Sequence, residues 1–475
     1  MKGLKLSLLL FVQLIIAIHV HGQSELNYPI NSTTLSFYNH SAKILYFDSI
    51  EFSILPVSYF KIESIIPYST YTMFSKNTGA DNYALDFTKM DHRATRMRHL
   101  YANIEWNWMQ FSAINKKSVW NIFIKEQAYL SAGFQKVMFQ FLDHGNKAFL
   151  GETVNFSVPV SGMHYRTFGV TWAKSIDFKL DVAVTGKFYS GLAYLKMNPE
   201  ISVFTEENAA YIDFKMKGQV RSSLPYSLNS NSDGFVTGAH LNLTSQNYFL
   251  GSGNPGLGFD VSTTVHLNHK MDAFADVIDF GGILWRKNVD NILIDGDYVW
   301  SGLDVSGILN SSNELSLKGL ANLGLRDSVL YRLAVLNNER FLTKIPGKVI
   351  FGMTYRYTSK LSIEWYNQMQ FFNYYIREYF SASAVYKLNP KLQLWSGLTF
   401  QNQSYFDIPV GVRYDSRRIM IAMNLNNLWG LLMPDFSRNF GGSFHLTYRF
   451  NISINQILNP QDLDGAPFFE PYEDN

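Results

Sequence analysis

The feature that most limits what this chain can become is a two-residue period. From about residue 100, apolar and polar side chains alternate in runs of nine to thirteen residues, the length a tilted β-strand needs to cross a bilayer. Phe178, Leu180, Val182, Val184 and Phe188 share one face of such a run, and Lys179, Asp181, Thr185 and Lys187 share the other. Ala210, Ile212, Phe214 and Met216 oppose Tyr211, Asp213, Lys215 and Lys217 in the same way. Further on, Val349, Phe351, Met353 and Tyr355 alternate with Lys348, Gly352, Thr354 and Arg356, and Ile363, Trp365 and Met369 with Ser362, Glu364, Gln368 and Gln370. After the N-terminal segment no stretch holds the roughly 18 uninterrupted apolar residues of a helical span, so any crossing is made by strands.

The connections between these runs come in two lengths. Asn115-Lys116-Lys117, Asn268-His269-Lys270, Thr358-Ser359-Lys360, Asn389-Pro390-Lys391 and Asp415-Ser416-Arg417 are short polar turns, whose Asn, Asp and Thr side chains favour tight reversals. Stretches such as 224–256 and 402–407 are longer and rich in Ser, Asn and Gly. Short turns on one rim and long loops on the other are the habit of an outer-membrane barrel. Counting from residue 150 gives strands near 150–158, 163–175, 178–190, 209–221, 257–267, 271–281, 291–300, 348–357, 361–371, 378–388, 391–401, 408–414, 418–426 and 441–450. The fold expected is all-β, a closed antiparallel transmembrane β-barrel of about 14 strands, within a range of 12 to 16 because 100–114 and 118–130 could add a hairpin.

Composition agrees with an apolar exterior. The chain has 475 residues, of which 16% are aromatic and 17% charged, against about 25% charged in an average soluble domain. Residues 1–22 read as a secretory signal, with Lys2 and Lys5 ahead of the apolar run Leu6 to Ile18 and a cut expected after Gly22. Its loss takes away two lysines and no acid, so 41 basic residues become 39, equal to the 39 acidic ones. A neutral chain lacks the positive field that nucleic acid requires. The absence of cysteine removes disulfides, thiolate metal sites and thiol catalysis together.

Two regions break the period. Residues 23–95 mix Pro, Tyr and Ser with irregular apolar runs and are expected to form a plug or extra edge strands ahead of a barrel over 96–450. Phe134, Val137, Met138, Phe141 and Leu142 keep helical spacing and stop at Gly145, a C-cap residue; the helix is either a clip or a gate. The segment 303–340 fits a short helix pair or a loop insertion. Tyr and Trp near strand ends, including Trp106, Trp108, Trp172, Trp285, Trp300, Trp365, Trp395 and Trp429, are candidates for the aromatic girdles of the two membrane interfaces.

The run Asn439-Phe440-Gly441-Gly442-Ser443-Phe444-His445-Leu446-Thr447-Tyr448-Arg449-Phe450 has the form of a barrel-assembly signal. Its carriers are Asn439, Gly441, Phe444, Leu446, Tyr448 and Phe450. The chain continues past that Phe into 451–475, an acidic tail with Asp462, Asp464, Glu470, Glu473 and Asp474 and neither Lys nor Arg.

The middle of the chain resembles a Bacteroidota outer-membrane barrel family of unknown function, similar in pattern to FadL-like and PorV-like barrels. The resemblance rests on Leu142 to Asn146 with Leu150-Gly151, on Tyr165-Arg166 and Gly169, on the strand ending at Lys187, on Gly256 to Val261, and on Asp276 to Gly281 with Trp285. It implies a barrel over about 95–450 in the outer membrane of a Gram-negative bacterium. FadL-like transporters carry an Asn-Pro-Ala signature in an N-terminal hatch, whereas Asn39-His40-Ser41-Ala42 here lacks the Pro, so a hydrophobic substrate does not carry over residue by residue.

Enzyme signatures are missing. Gly251, Gly253, Gly256 and Gly258 have no βαβ setting for a phosphate loop, no Gly-x-Ser-x-Gly elbow occurs, and the 11 His show no helical metal-ligand pair. No enzyme activity, cofactor or metal is expected. The candidate lumen residues are Lys179, Asp181, Lys187, Asp213, Lys215, Lys217, Arg356, Glu364 and Arg413. The functions expected are a conduit for a small or amphipathic solute, or a docking platform for envelope or exported proteins. The partners are then outer-membrane lipid, the barrel-assembly machinery during biogenesis and an envelope protein. The alternative is a secreted soluble β-sandwich, an adhesin or carbohydrate-binding module.

Overall fold

The computed structural model describes residues 50–54, 59–76, 83–93, 97–115, 118–177, 179–208, 211–230, 236–241, 253–300, 333–401, 404–416 and 418–450. The expected signal 1–22, the tail 451–475 and most of 303–340 lie outside the described residues.

In chain order the strands are β1 (Ile50–Ile54), β2 (Tyr59–Ile65), β3 (Phe74–Lys76), β4 (Tyr83–Leu85), β5 (Met97–Asn115), β6 (Ser118–Gln135), β7 (Thr153–Ser157), β8 (Val160–Asp177), β9 (Leu180–Met197), β10 (Glu200–Thr205), β11 (Ile212–Ser223), β12 (Tyr226–Ser230) and β13 (Val236–Leu241). The second half holds β14 (Asn254–Asn268), β15 (Met271–Trp285), β16 (Val289–Trp300), β17 (Leu333–Asn337), β18 (Phe341–Lys344), β19 (Lys348–Arg356), β20 (Leu361–Phe371), β21 (Ile376–Asn389), β22 (Leu392–Gln401), β23 (Ser404–Asp407), β24 (Val410–Asp415), β25 (Ile419–Leu425) and β26 (Asn439–Phe450). Among the described residues four short α-helices accompany them: α1 (Thr70–Met73), α2 (Phe87–His92), α3 (Lys136–His144) and α4 (Leu428–Leu432).

Counting β1 and β2 as two halves of one strand, fourteen strands pair in a ring, every pair antiparallel. The order is β1/β2, β5, β6, β8, β9, β14, β15, β19, β20, β21, β22, β24, β25, β26. The ring closes where β26 returns to β1 and β2. A sheet closed on itself has no free wall edge, and it replaces the two-sheet sandwich as an account of the alternation.

The number of wall strands is the one read from the sequence, but the membership differs. The runs near 150–158, 209–221 and 291–300 stand outside the ring. Their places are taken by 50–65, 97–115 and 118–135. β1 and β2 are therefore wall rather than plug, and the wall takes in strands ahead of residue 96. Tyr59, Lys61, Glu63 and Ile65 alternate inward, but Pro56 stands in the sequence between Ile54 and Tyr59, so neither half is long enough to read as a strand.

The turns that follow β8, β14, β19 and β21 lie on one rim, which is also where β1 begins and β26 ends. Side-chain acceptors tighten them: Asp177 Oδ1 takes the Lys179 N–H at 2.7 Å, Asn268 Oδ1 the Lys270 N–H at 2.8 Å, and Asn389 Oδ1 both Lys391 and Leu392 N–H at 2.8 and 2.9 Å. The opposite rim carries the helices and a five-stranded extension, β7–β10–β11–β16–β17, joined to the wall where Val220–Ser223 pair with Met197–Tyr194 of β9. The helix read from the sequence is α3; it ends at Gly145 (φ 66), whose N–H donates to the Phe141 carbonyl. Phe139 of α3 packs edge-on to Tyr68 at 5.1 Å, with Met90 of α2 beside it. Asp86 caps α2 by accepting the Lys89 N–H at 2.8 Å, a bond that holds its carboxyl below the usual range.

The two faces of the wall follow the period. Outward lie exposed Ile122, Val170, Val184, Phe188, Phe351, Ile363, Phe380 and Leu398. Near the short-turn rim Trp120, Trp172, Tyr355, Tyr386, Tyr414 and Tyr448 form an outward aromatic row, each 37–47% exposed. Trp285 and Trp395 are buried inside and so are not girdle residues, while the Trp300 side chain lies outside the described residues.

Candidate functional site

Inward side chains are polar, long and mutually engaged. Glu105 lies 3.2 Å from Lys125 and 3.9 Å from Lys61. Glu63 takes Arg377 and the Tyr379 hydroxyl, and the Arg377 guanidinium also stacks at 4.4 Å from the Tyr101 and Tyr379 rings. Toward the short-turn rim His266 bridges Asp181 and Asp272 at 3.0 and 2.8 Å, and Asp272 pairs with Arg356. Asp415 joins Arg413 and Arg449. An apolar cluster joins Val119, Phe123, Ala173 and Ala183 to Val385, Trp395, Met420 and Ala422 from the other side of the ring. Fourteen strands enclose more space than an eight-stranded barrel can leave, and these inward side chains project into it.

The wall has one conspicuous irregularity. In β14 and β15 the register steps from Phe259↔Phe280 to Val261↔Val277, an extra residue on β15. The bulge centres on Asp279, at φ 57, a conformation Asp tolerates better than most residues. Its N–H donates to the Asp260 side-chain Oδ1 at 2.7 Å instead of to a backbone carbonyl of a neighbouring strand, and its carboxylate and that of Asp260 hold Lys187 Nζ at 2.6 and 2.7 Å. Tyr189 donates to the same Asp279 oxygen at 3.3 Å. This buried trio fixes the bulge from inside.

On the other side of β15 the ladder is interrupted as well. Pairing with β19 ends at Ile278↔Lys348, and pairing with β18 starts only at Gly282↔Lys344. Between them Asp279–Gly281 face Ile345–Gly347 with a single bond, the Ile345 N–H to the Gly281 carbonyl at 3.1 Å. Pro346 has no N–H to give. Here lies a cavity of about 1220 Å³. Its outer lining includes Phe280 and the two most exposed large apolar side chains among the described residues, Leu257 (72%) and Leu342 (71%); its inner lining includes Ile278, Asp279, Lys348 and Phe372. The lining is mostly apolar toward the outside of the barrel, where exposed Lys344 stands beside Leu342 on one face of β18, and charged at its inner end.

The inner end is bounded by the short connection Phe372-Asn373-Tyr374-Tyr375 between β20 and β21, which turns into the mouth and reaches strands far around the ring. Phe372 sits edge-on to Tyr101 and Tyr129 at 5.2 and 5.7 Å, and Tyr375 stacks on His99 at 4.1 Å. Asn373 Nδ2 donates to Ser161 Oγ at 3.3 Å and the Tyr374 hydroxyl to the Met197 carbonyl at 3.2 Å. Four consecutive residues thus bridge the mouth from β20/β21 to β5, β6, β8 and β9.

One charged group on the outward face is buried rather than exposed. Glu126 shares its face with exposed Trp120, Ile122 and Leu130, yet is fully buried under Trp108, Arg166 and His164. Its carboxylate accepts from Trp108 Nε1 at 2.7 Å and from Arg166 Nε and Nη2 at 2.9 and 2.8 Å, and meets His164 Nε2 at 2.8 Å.

The candidates chosen from the sequence divide. Asp181, Lys187, Glu364 and Arg413 are buried on inward faces, and Arg356 reaches the same interior through Asp272. Lys179 sits at the tip of a short turn, exposed. Asp213, Lys215 and Lys217 lie on β11 in the rim extension, where Lys215 pairs with Asp213 at 2.8 Å. These four are not lumen residues, because alternation marks a two-sided strand whether it stands in the wall or above it. Of the cavity only Lys187's neighbourhood was read. Leu342, Pro346, Gly347 and Phe372–Tyr375 were missed, although Gly281-Gly282 and Pro346-Gly347 inside strand patterns are the signal that could have found the interruption. Asn439, Gly441, Phe444, Leu446, Tyr448 and Phe450 lie on β26, the last wall strand.

Residues 55–423 match the family described as "Family of unknown function (DUF5723)". No curated protein matches the chain. Among solved structures it is similar to the Ralstonia pickettii toluene transporter TbuX, with 11% identity and a TM-score of 0.42 over 91% of this chain and 100% of that one. A Pseudomonas aeruginosa FadL homologue gives 10% and 0.41 over 91% and 96%, and the P. putida toluene transporter TodX 10% and 0.40 over 89% and 95%. The barrel described above rests on its own strand pairings.

Proposed function

We propose that this chain, which belongs to the DUF5723 family of unknown function, is an outer-membrane barrel that passes a small apolar or amphipathic solute through the side of its wall. The observation that carries this reading is the cavity at the β15 interruption, mostly apolar toward the outside with Lys344 at its edge, and charged at its inner end. The outward apolar surface and the aromatic row support the membrane setting. An ion or sugar pore needs a continuous wet lumen, and the described lumen is occupied by paired charges and aromatic rings.

A solute with a hydrocarbon body fits between Leu257, Phe280 and Leu342, and a polar end meets the Asp279–Lys187–Asp260 trio and Lys348. The test is entry of an apolar fluorescent probe into cells whose lipopolysaccharide outer membrane slows it, alongside sugar swelling of proteoliposomes. The reading expects faster probe entry, no sugar swelling, and loss of the gain in Leu342→Arg, which puts a charge at the outer lining. Sugar swelling would make the barrel an aqueous pore. Absence of both fluxes would favour the PorV-like platform role, for which the rim extension offers the unpaired edges of β7 and β17 among the described residues.

A further inference from the structure

Above the long-loop mouth, α2 and α3 bring together three side chains that are 52 and 53 residues apart in sequence and serve no part of the transport site. One ligand atom each from Asp91, Asp143 and His144 lies within 4.8 Å of the other two. Asp91 is 91% buried, and its Oδ1 has no hydrogen-bond partner. A buried carboxylate left without a partner is costly, and a second carboxylate beside it raises the cost. The cations nearest in sequence are engaged elsewhere: Lys89 with Asp86 at 3.2 Å, Arg93 with Thr72, and Arg98 with the Arg93 carbonyl.

The other two groups are set from behind. Thr88 of α2 donates to Asp143 Oδ1 at 2.5 Å, which orients that carboxylate as an outer-shell partner does. The His144 ring closes α3, with Nδ1 3.7 Å from Asp143 Oδ2 and 3.1 Å from the Gln140 carbonyl oxygen. We propose that Asp91, Asp143 and His144 are the protein ligands of a divalent first-row metal ion that fastens α2 to α3 over the barrel mouth. Two carboxylates and an imidazole suit zinc or a similar ion better than calcium, which prefers oxygen alone. Half-exposed His144 leaves the remaining coordination positions to water.

The test takes the untagged full chain folded in detergent, stripped with chelator, and titrates it with Zn²⁺ and separately with Ca²⁺ by calorimetry. Expected are one saturable zinc per chain, calcium at least about tenfold weaker, and a loss of about tenfold or more in zinc affinity in Asp91→Asn and in His144→Gln. His144 is exposed, so its variant keeps the test alive if Asp91→Asn fails to fold, and boiled against unboiled gel mobility reports folding in each. No saturable zinc in the wild type, equal affinity for calcium, or wild-type zinc affinity in folded His144→Gln would each overturn the site.

Discussion

The two ends of this barrel are built by different means. At the short-turn end the strands run into Asx-closed turns with a one-residue register shift beside Asp177, Asn268 and Asn389, the outward aromatics fall in one row, and the inward charges close into small networks around Asp272 and Asp415. At the long-loop end β15 is bulged, a ladder is interrupted, a connection folds inward, and a five-stranded extension grows from β9. The regular end is what a bilayer demands of any barrel. The irregular end is where this particular chain departs from those demands, and the cavity lies in that half.

If the bulge is held by charge, removing Lys187 is the most damaging single change. Lys187→Met leaves Asp260 and Asp279 buried side by side, and breaking a buried ion group costs about 3–5 kcal/mol. A urea titration of the folded barrel should show the midpoint fall by that much, with Asp279→Asn milder because Lys187 keeps Asp260. A midpoint within about 0.5 kcal/mol of wild type would mean that backbone geometry alone holds the bulge, and the contrast between the two ends would lose its electrostatic half.

Next comes the outward group. Glu126→Ala strands Arg166 on the lipid face at a cost of about 2–4 kcal/mol, whereas Glu126→Ala with Arg166→Met removes both charges and recovers most of the loss. The cycle is read on the same urea midpoints. Additive losses would place Arg166 in contact with water or headgroups rather than hydrocarbon.

The inward connection gives a functional contrast. Phe372→Ala removes the ring that meets Tyr101 and Tyr129 and should cost about 1–3 kcal/mol, less than a fully buried Phe. Single-channel recording should then show ion current that the wild type lacks. A silent, folded Phe372→Ala barrel would shift the constriction to the Val119–Trp395 cluster nearer the other rim.

What could be read in advance follows the same division. Glu364, Gln368 and Gln370 against Ile363, Trp365 and Met369 is a pattern with one physical cause, a strand between lipid and lumen, and it held in β20. Asp213, Lys215 and Lys217 obey the same arithmetic on β11, which stands outside the wall, because period two reports two unlike faces and not what each face meets. The closing strand was hidden because Pro56 splits its sequence into two short runs. The cavity was hidden because it depends on pairing that stops between residues 70 positions apart, Ile278 and Lys348. Asp91 and Asp143 were hidden for the same reason, since no local spacing joins them.

The smallest effect belongs to the regular end. Asn389→Ala removes the acceptor for two turn N–H groups, but both are exposed and water replaces it, so the loss should be about 0.5–1 kcal/mol. Probe entry and zinc affinity should stay at wild-type values, since the turn sits on the rim opposite the helices and the inward connection. Asn389→Gly is the sharper control, because it also drops the acceptor while freeing the backbone. If either variant altered probe entry as strongly as Leu342→Arg, the solute path would have to run the full height of the barrel through the paired charges, and the wall cavity would be a blind pocket.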